Sequence, residues 1–332
     1  MTLNPEQMFA REHSMREDDL SEKEWEVNLQ FAQPYRKEEP KIDDFKQLNP
    51  DDLDRQRDKQ KVADLKRRTS EMEKTERAVI LEAVLAEQIE RSEWMGGDAY
   101  TFQTTEFDDR INHADLVIEF GRPEGAHYLA IDVTTAQDAD VRAKKRERID
   151  QEVDAGKLTS IKYFESQADE EHPQKSLNNI PRAVIYVSPE ALKRITEIQY
   201  DILEKKKGTN QKMAQDPVQL EILGQIESQM TEHVIRILHN FRDFKDVPPK
   251  FKQDLERLID IVRRLPAPAH RAAEGFDQDE VVEIMQKILE TKDEDEKGAK
   301  SLTPYRALKK ISAVRRIIRS ARTEKQETLE QE

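Results

Sequence analysis

Asp115 and Asp132 are the residues whose spacing in this chain implies chemistry. They lie in the stretch 112–138, NHADLVIEFGRPEGAHYLAIDVTTAQD, which reads as a β-hairpin. Two runs rich in aliphatic residues, DLVIEF and YLAIDVT, flank GRPEG, whose Gly and Pro belong in a turn. Centring the loop between Pro123 and Glu124 pairs Leu116 with Ile131 and Ile118 with Leu129 on one face. Asp115 with Asp132, Val117 with Ala130, and Glu119 with Tyr128 then share the other face. A slip by one residue would mix the two sets. Directly opposed Cβ atoms stand about 5 Å apart, so two carboxylates there repel unless something positive sits between them. Oxygen ligands that close suit a hard divalent cation, Mg²⁺ or Mn²⁺. The alternative is that both side chains splay into water from a solvated face. Against it, both strands are too apolar for a hairpin washed on one side.

The elements around the pair must position it. TERAVILEAVLAEQIERSEW (75–94) reads as a helix with Ala78, Leu81, Val84, Leu85, Gln88 and Ile89 on one face. Glu82 flanks that stripe and is a candidate ligand reaching a site on the sheet below, or else a boundary residue. AYTFQTTEF (99–107) reads as a first strand leading through Asp108, Asp109 and Arg110 into the hairpin. Asp138 caps a helix of residues 139–155 that Gly156 closes. Lys145, four residues after Val141 and four before Ile149, can run its stem over the sheet toward the hairpin carboxylates, or simply snorkel to water. LTSIKYF (158–164) reads as a short strand, 169–179 as a polar loop, and AVIYV (183–187) as a buried strand.

Helix, three strands, helix, strand, with acids at Asp115 and Asp132: residues 75–190 resemble the PD-(D/E)XK nuclease superfamily. The resemblance rests on HADLVIEF, where Asp115 looks like the first signature aspartate, and on LAIDVT, where Asp132 looks like the second acid. It implies an α/β core with a small mixed sheet of restriction-endonuclease-like type, flanked by helical N- and C-terminal regions. It implies metal-assisted hydrolysis of DNA phosphodiesters, with Asp115 and Asp132 holding Mg²⁺ or Mn²⁺ and Glu82 added from the preceding helix. Two positions depart from the motif. Ala114 stands where proline is frequent, and Thr134 stands where the motif lysine is expected. Some members supply that lysine from the following helix, a part open to Lys145 or its neighbour Lys144. Without it the core is a degenerate nuclease-like fold serving as an interaction module. His113, opposite Thr134, is a candidate to assist the water or else a structural residue.

The organisation expected is a charged arm and solvated helix over 1–74, the α/β core over 75–205, and a helical region over 206–332. In the arm, Trp25, Phe31, Tyr35 and Phe45 are the aromatics available to dock on the body. Asn49 and Pro50 start a helix with sparse apolar residues. Helices after Ser188, at 216–241, at 251–265 and at 277–292 form a bundle suited to a protein partner or a homodimer. In the last helix Ala307, Ile311, Val314, Ile318 and Ala321 share a packing face. Lys309, Lys310, Arg315, Arg316, Arg319 and Arg322 are left to lie on a phosphate backbone or to pair with the protein's own acids. The net charge of -14 in 332 residues confines any DNA contact to such local patches. With no cysteine there is no disulfide, thiolate zinc site or Cys nucleophile. No run is apolar enough to span a bilayer, and a cytoplasmic location is expected.

Overall fold

The computed structural model describes residues 20–48, 52–68, 75–121, 125–135, 139–167, 169, 173–240, four isolated positions between 253 and 259, and 304–330. The fold is α/β, built on a four-stranded mixed sheet of order β1-β2-β3-β6. Its strands are β1 (Ala99–Gln103), β2 (Leu116–Phe120), β3 (His127–Thr134) and β6 (Arg182–Tyr186). The first three run antiparallel in sequence, and β6 lies parallel to β3. The hairpin register is the one expected: Leu116 faces Ile131, Ile118 faces Leu129 and Glu119 faces Tyr128. Two distinct buried faces specify it, because one residue of slip would exchange Leu116, Ile118, Leu129 and Ile131 of the main core with Val117 and Ala130 of a second cluster. The turn residues 122–124 lie outside the described set.

Helices cover both faces. On one, α4 (Glu76–Arg91) opens with Thr75 accepting the N–H of Ala78, and its apolar side joins Leu116, Ile118, Leu129 and Ile131 in the main core. On the other, α6 (Ala139–Asp154) packs on β6 and is held to α9 (Val218–Asn240) by Arg236, which reaches Asp150 and Asp154. That second face also carries a separate two-stranded sheet, β4 (Thr159–Glu165) with β5 (Gln174–Ile180). Ile161, Phe164, Leu177 and Ile180 pack there on Val117 and Ala130. Fully buried Glu119 anchors it, accepting from Tyr128, from Ser166 and from the N–H of Gln167.

Both sheet edges are closed by side chains. Gln229 accepts the N–H of Val184 and donates to its carbonyl, and Gln225 does the same for Tyr186, all at 2.8–3.0 Å. Four helical residues rise about 6 Å and two strand residues about 6.6 Å, so amides at i and i+4 of α9 match carbonyls at i and i+2 of β6. At the other edge Glu90 accepts the N–H of Thr101.

Four expectations are corrected. The end of the expected first strand at 106–107 and the connection through Asp108, Asp109 and Arg110 belong instead to a helix, α5 (Glu106–Asn112), because Thr105 caps the N–H of Asp108 and acids fill the first turn. The polar loop over 169–179 contains β5, whose QKSLNNI is half-exposed and so lacks an apolar signature. The helix α3 (Asp52–Arg68) is not merely solvated. Its Asp58 is buried and takes the Lys162 ammonium and the Tyr163 hydroxyl, while Val62 packs with Phe45, Phe107 and Tyr163. Lastly, Val141 of α6, assigned to the packing side, is exposed.

Residues 22–37 are helical, as α1 (Glu22–Val27), a π-helical Asn28–Ala32 and α2 (Gln33–Lys37). Of its aromatics Phe31 and Tyr35 pack on the main core and Phe45 is buried, whereas Trp25 is exposed. Ser188 caps α7 (Pro189–Leu203) as expected, and a short α8 (Thr209–Ala214) lies between it and α9. The last helix, α10 (Pro304–Glu330), buries Ala307, Ile311, Val314, Ile318 and Ala321. The helices expected at 251–265 and 277–292 fall largely or wholly outside the described residues. Among the described residues no helix is long and apolar enough to cross a membrane.

Candidate active site around Asp115 and Asp132

The pair is set by the end of α5 and the ladder that follows. Buried Asp108 in α5 accepts from Thr105, from Asn112 and from the N–H groups of Lys162 and Tyr163, which pins the helix to β4. Burial pushes its carboxyl upward. His113 then adopts the left-handed conformation (φ 54°, ψ 49°), ending α5 and turning the chain into β2. Arg182, buried at the start of β6, ties this turn down by donating to the carbonyls of Asn112 and His113 and to Glu152 of α6 at 2.9 Å.

Asp115 and Asp132 are both buried, 9% and 8% exposed, where the β2–β3 ladder ends. The Val133 N–H donates to Asp115 Oδ2 at 2.6 Å, and the Asp115 N–H donates to the Ile131 carbonyl at 2.8 Å. Lys145 Nζ stands 2.6 Å from Asp132 Oδ1 and 3.2 Å from the Val133 carbonyl oxygen. The lysine stem therefore crosses the sheet to the acid pair. Lys144, the other candidate, is exposed.

The electrostatics are those of two anions confined together and ringed by cations. Burial, and next the neighbouring Asp115, raise the Asp132 pKa, against the lowering effect of Lys145 and Arg182. His113 is lowered to about 4, first by burial and then by Arg148, Arg182 and Lys145. At neutral pH it is an uncharged imidazole and a weak proton acceptor, which limits it to hydrogen bonding rather than general-base work. Its depression also registers a positive local field despite the chain's net negative charge.

Two groups at this site escape sequence reading. Arg148 lies three residues after Lys145, the spacing of one helix face, and that spacing is a usable signal. Arg182 opens an apolar strand and carries no local signal, since its partners are 30 to 70 residues away.

Glu82 is buried on α4, the helix against the opposite sheet face. Among the described residues no three His, Asp or Glu groups stand close enough to hold a metal ion, so the structure does not assemble Glu82 with the aspartates. The two aspartates still fit Mg²⁺ or Mn²⁺. Their oxygens are hard donors, and Asp132 is raised first by burial and then by the like charge of Asp115, a pairing that a cation would relieve. Mg²⁺ commonly takes one or two carboxylates and completes its shell with water and phosphate. Thr134, at the motif-lysine position, is buried.

The basic strip on α10 is engaged with its own chain. Arg315 is buried, donates to Thr231 at 2.6 Å and lies 3.8 Å from Glu227. Arg319 and Arg322 approach the same carboxylate at 3.9 and 3.0 Å, and Lys310 donates to the Asn178 carbonyl. Arg315 is therefore not on the outer face expected of it. Its helical position lies within reach of α9, where Glu227 offers a buried countercharge. Lys309 is half-buried and Arg316 exposed.

Comparisons with family models, with curated proteins and with solved structures find no match for this chain.

Proposed function

We propose that this protein is a divalent-metal-dependent nuclease hydrolysing DNA phosphodiester bonds, on a core of restriction-endonuclease-like type. The observation that carries this reading is the 2.6 Å contact of Lys145 with Asp132, beside an opposed buried aspartate. It supplies a lysine from the helix after the third strand where Thr134 leaves the motif without one. The sheet supports the same reading, with three antiparallel strands and a fourth parallel to the third after a connection that holds α6 and the β4–β5 pair.

Asp115 and Asp132 would hold Mg²⁺ or Mn²⁺, which when bound polarises the phosphate and lowers the pKa of water. Lys145, a compact cation with three donors, offers one to Asp132 and one to the Val133 carbonyl, leaving a donor for a phosphate oxygen or the attacking water. Arg182 fixes the turn that aims Asp115, and Arg148 adds positive charge near His113. Near-complete burial of both carboxylates strengthens each of these interactions.

A second reading, a degenerate nuclease-like fold acting as a DNA or protein interaction module, is favoured by Thr134. Calorimetric titration with Mn²⁺ separates the two. Saturable binding by the parent and none by Asp132→Asn is expected. Cleavage of plasmid DNA in Mn²⁺ should then fall by about 10²-fold or more in Lys145→Ala. Absence of Mn²⁺ binding to the parent would overturn the metal site, and undiminished cleavage by Lys145→Ala would overturn the lysine's role.

A further inference from the structure

Across α6 from the acid pair, the surface opens into a cleft of about 400 Å³ lined by Arg142 and Arg146 of α6, Val184 and Tyr186 of β6, and Gln225 of α9. Its lining includes Ala139 and Ala143, small residues one helical turn apart that leave the space unfilled. Its position is informative. Val184 is the register partner of Asp132, so cleft and acid pair sit on one face of the sheet. Both lie toward the carboxyl ends of the parallel strands β3 and β6, where open α/β sheets receive their ligands.

The chemistry of the lining suits a phosphate. Arg142 and Arg146 are four residues apart and so share a helix side. The Arg142 guanidinium carbon lies 4.2 Å from the Tyr186 ring centre, a stacking contact that fixes its plane. Planar guanidinium forks match phosphate oxygens two at a time. The cleft also connects with the acid pair through one helix. Lys145 follows Arg142 by three residues, and Cβ atoms so spaced are about 5–6 Å apart.

We propose that this cleft seats a second phosphate of the DNA strand whose scissile phosphate meets Asp115, Asp132 and Lys145. The inference rests on the hydrolytic reading of that pair. It narrows the substrate to a strand bearing at least two phosphates, held by arginine at one and by lysine with the aspartates at the other. An isolated phosphomonoester engages only half of this arrangement.

The test is fluorescence anisotropy with a labelled single-stranded 12-mer oligodeoxynucleotide in Ca²⁺, using the full chain. The proteins are the parent, Arg142→Gln with Arg146→Gln, Arg146→Gln alone, and Asp132→Asn. Arg146→Gln leaves the Tyr186 stack intact and so guards against misfolding of the double variant, with the melting temperature as control. The expected result is an affinity loss of about tenfold in the double variant and a smaller loss in Arg146→Gln, both with a shallower salt dependence. Asp132→Asn, which removes a proposed metal ligand, should lose the Ca²⁺-dependent part of the affinity and keep the arginine-dependent part. Arginine variants binding within about twofold of the parent, or a parent that does not bind the strand, overturn the proposal. Cleavage of the same strand in Mn²⁺ tests the underlying reading separately. Arginine-dependent binding without cleavage supports the cleft and sinks the nuclease, whereas cleavage with arginine-independent binding sinks the cleft alone.

Discussion

Asp132 is a carboxylate that folding makes harder to ionise, and the sign of that shift has consequences for stability. The folded chain holds the Asp132 proton more tightly than the unfolded chain does. Stability therefore falls as pH rises from the ordinary 3.8 through the raised folded value, and the cost persists at neutral pH. Asp132→Asn removes that cost along with the Lys145 ion pair, so its melting temperature at pH 7 without metal is expected to equal or exceed the parent's. Mn²⁺ at a hundredfold excess over its Kd should stabilise the parent by about 2.7 kcal/mol and leave Asp132→Asn unchanged, as read by thermal melts. His113 works in the opposite pH sense. Its folded value of about 4 lies below the ordinary 6.5, so acidification between those values favours the unfolded chain, which binds the proton first. His113→Asn keeps a residue tolerant of the left-handed backbone and should flatten the melting temperature over pH 4–6.5. An undiminished slope in that variant would assign the acid sensitivity to other groups.

At the level of elements, the amide pair of α9 is the most testable packing device. Gln229→Ala leaves the N–H and carbonyl of Val184 without these side-chain partners inside the protein and should cost about 1–3 kcal/mol in urea unfolding. Gln225→Ala, at the half-buried end of the same edge, should cost less. The elements also show what the sequence made legible. Alternation over 116–120 and 127–134 defined the hairpin and its register, because each position answers to one face. The sequence placed Lys145 over the sheet by its four-residue step from Val141, which is exposed; the buried Ile149, four residues further on, is the neighbour that turns this side of the helix to the sheet. The β5 strand was illegible because it belongs to a small covering sheet with one wet side, and its serine and asparagines look like loop. The signals for α5 were present in Thr105 and the acids after it, yet the aromatics of AYTFQTTEF outweighed them. Arg182 could not be found, since its meaning depends on carbonyls at 112 and 113 that only the folded sheet brings near.

For the molecule as a whole, one hydrophobic core gathers residues from Val27 and Ala32 through the sheet to Ala307 and Ala321. The regions set apart by composition thus share an interior. A fragment of residues 75–205 lacks the α9 amides and the α10 packing face, and it is expected to give the circular dichroism of an unfolded or molten chain. Glu227 binds α10 to α9 by facing three arginines, one of them buried. Glu227→Ala leaves Arg315 without its nearest carboxylate and should cost about 3–5 kcal/mol, more than Arg322→Ala at the exposed rim. The glutamine pair along β6 has one more consequence. The amide protons of Val184 and Tyr186 are held by side chains and not by a neighbouring strand, so a change of glutamine rotamer exposes them to solvent without any strand separating. Deuterium uptake at these two positions should therefore run ahead of the central strands β2 and β3 and follow the detachment of a single helix, which makes them a built-in clock for that event.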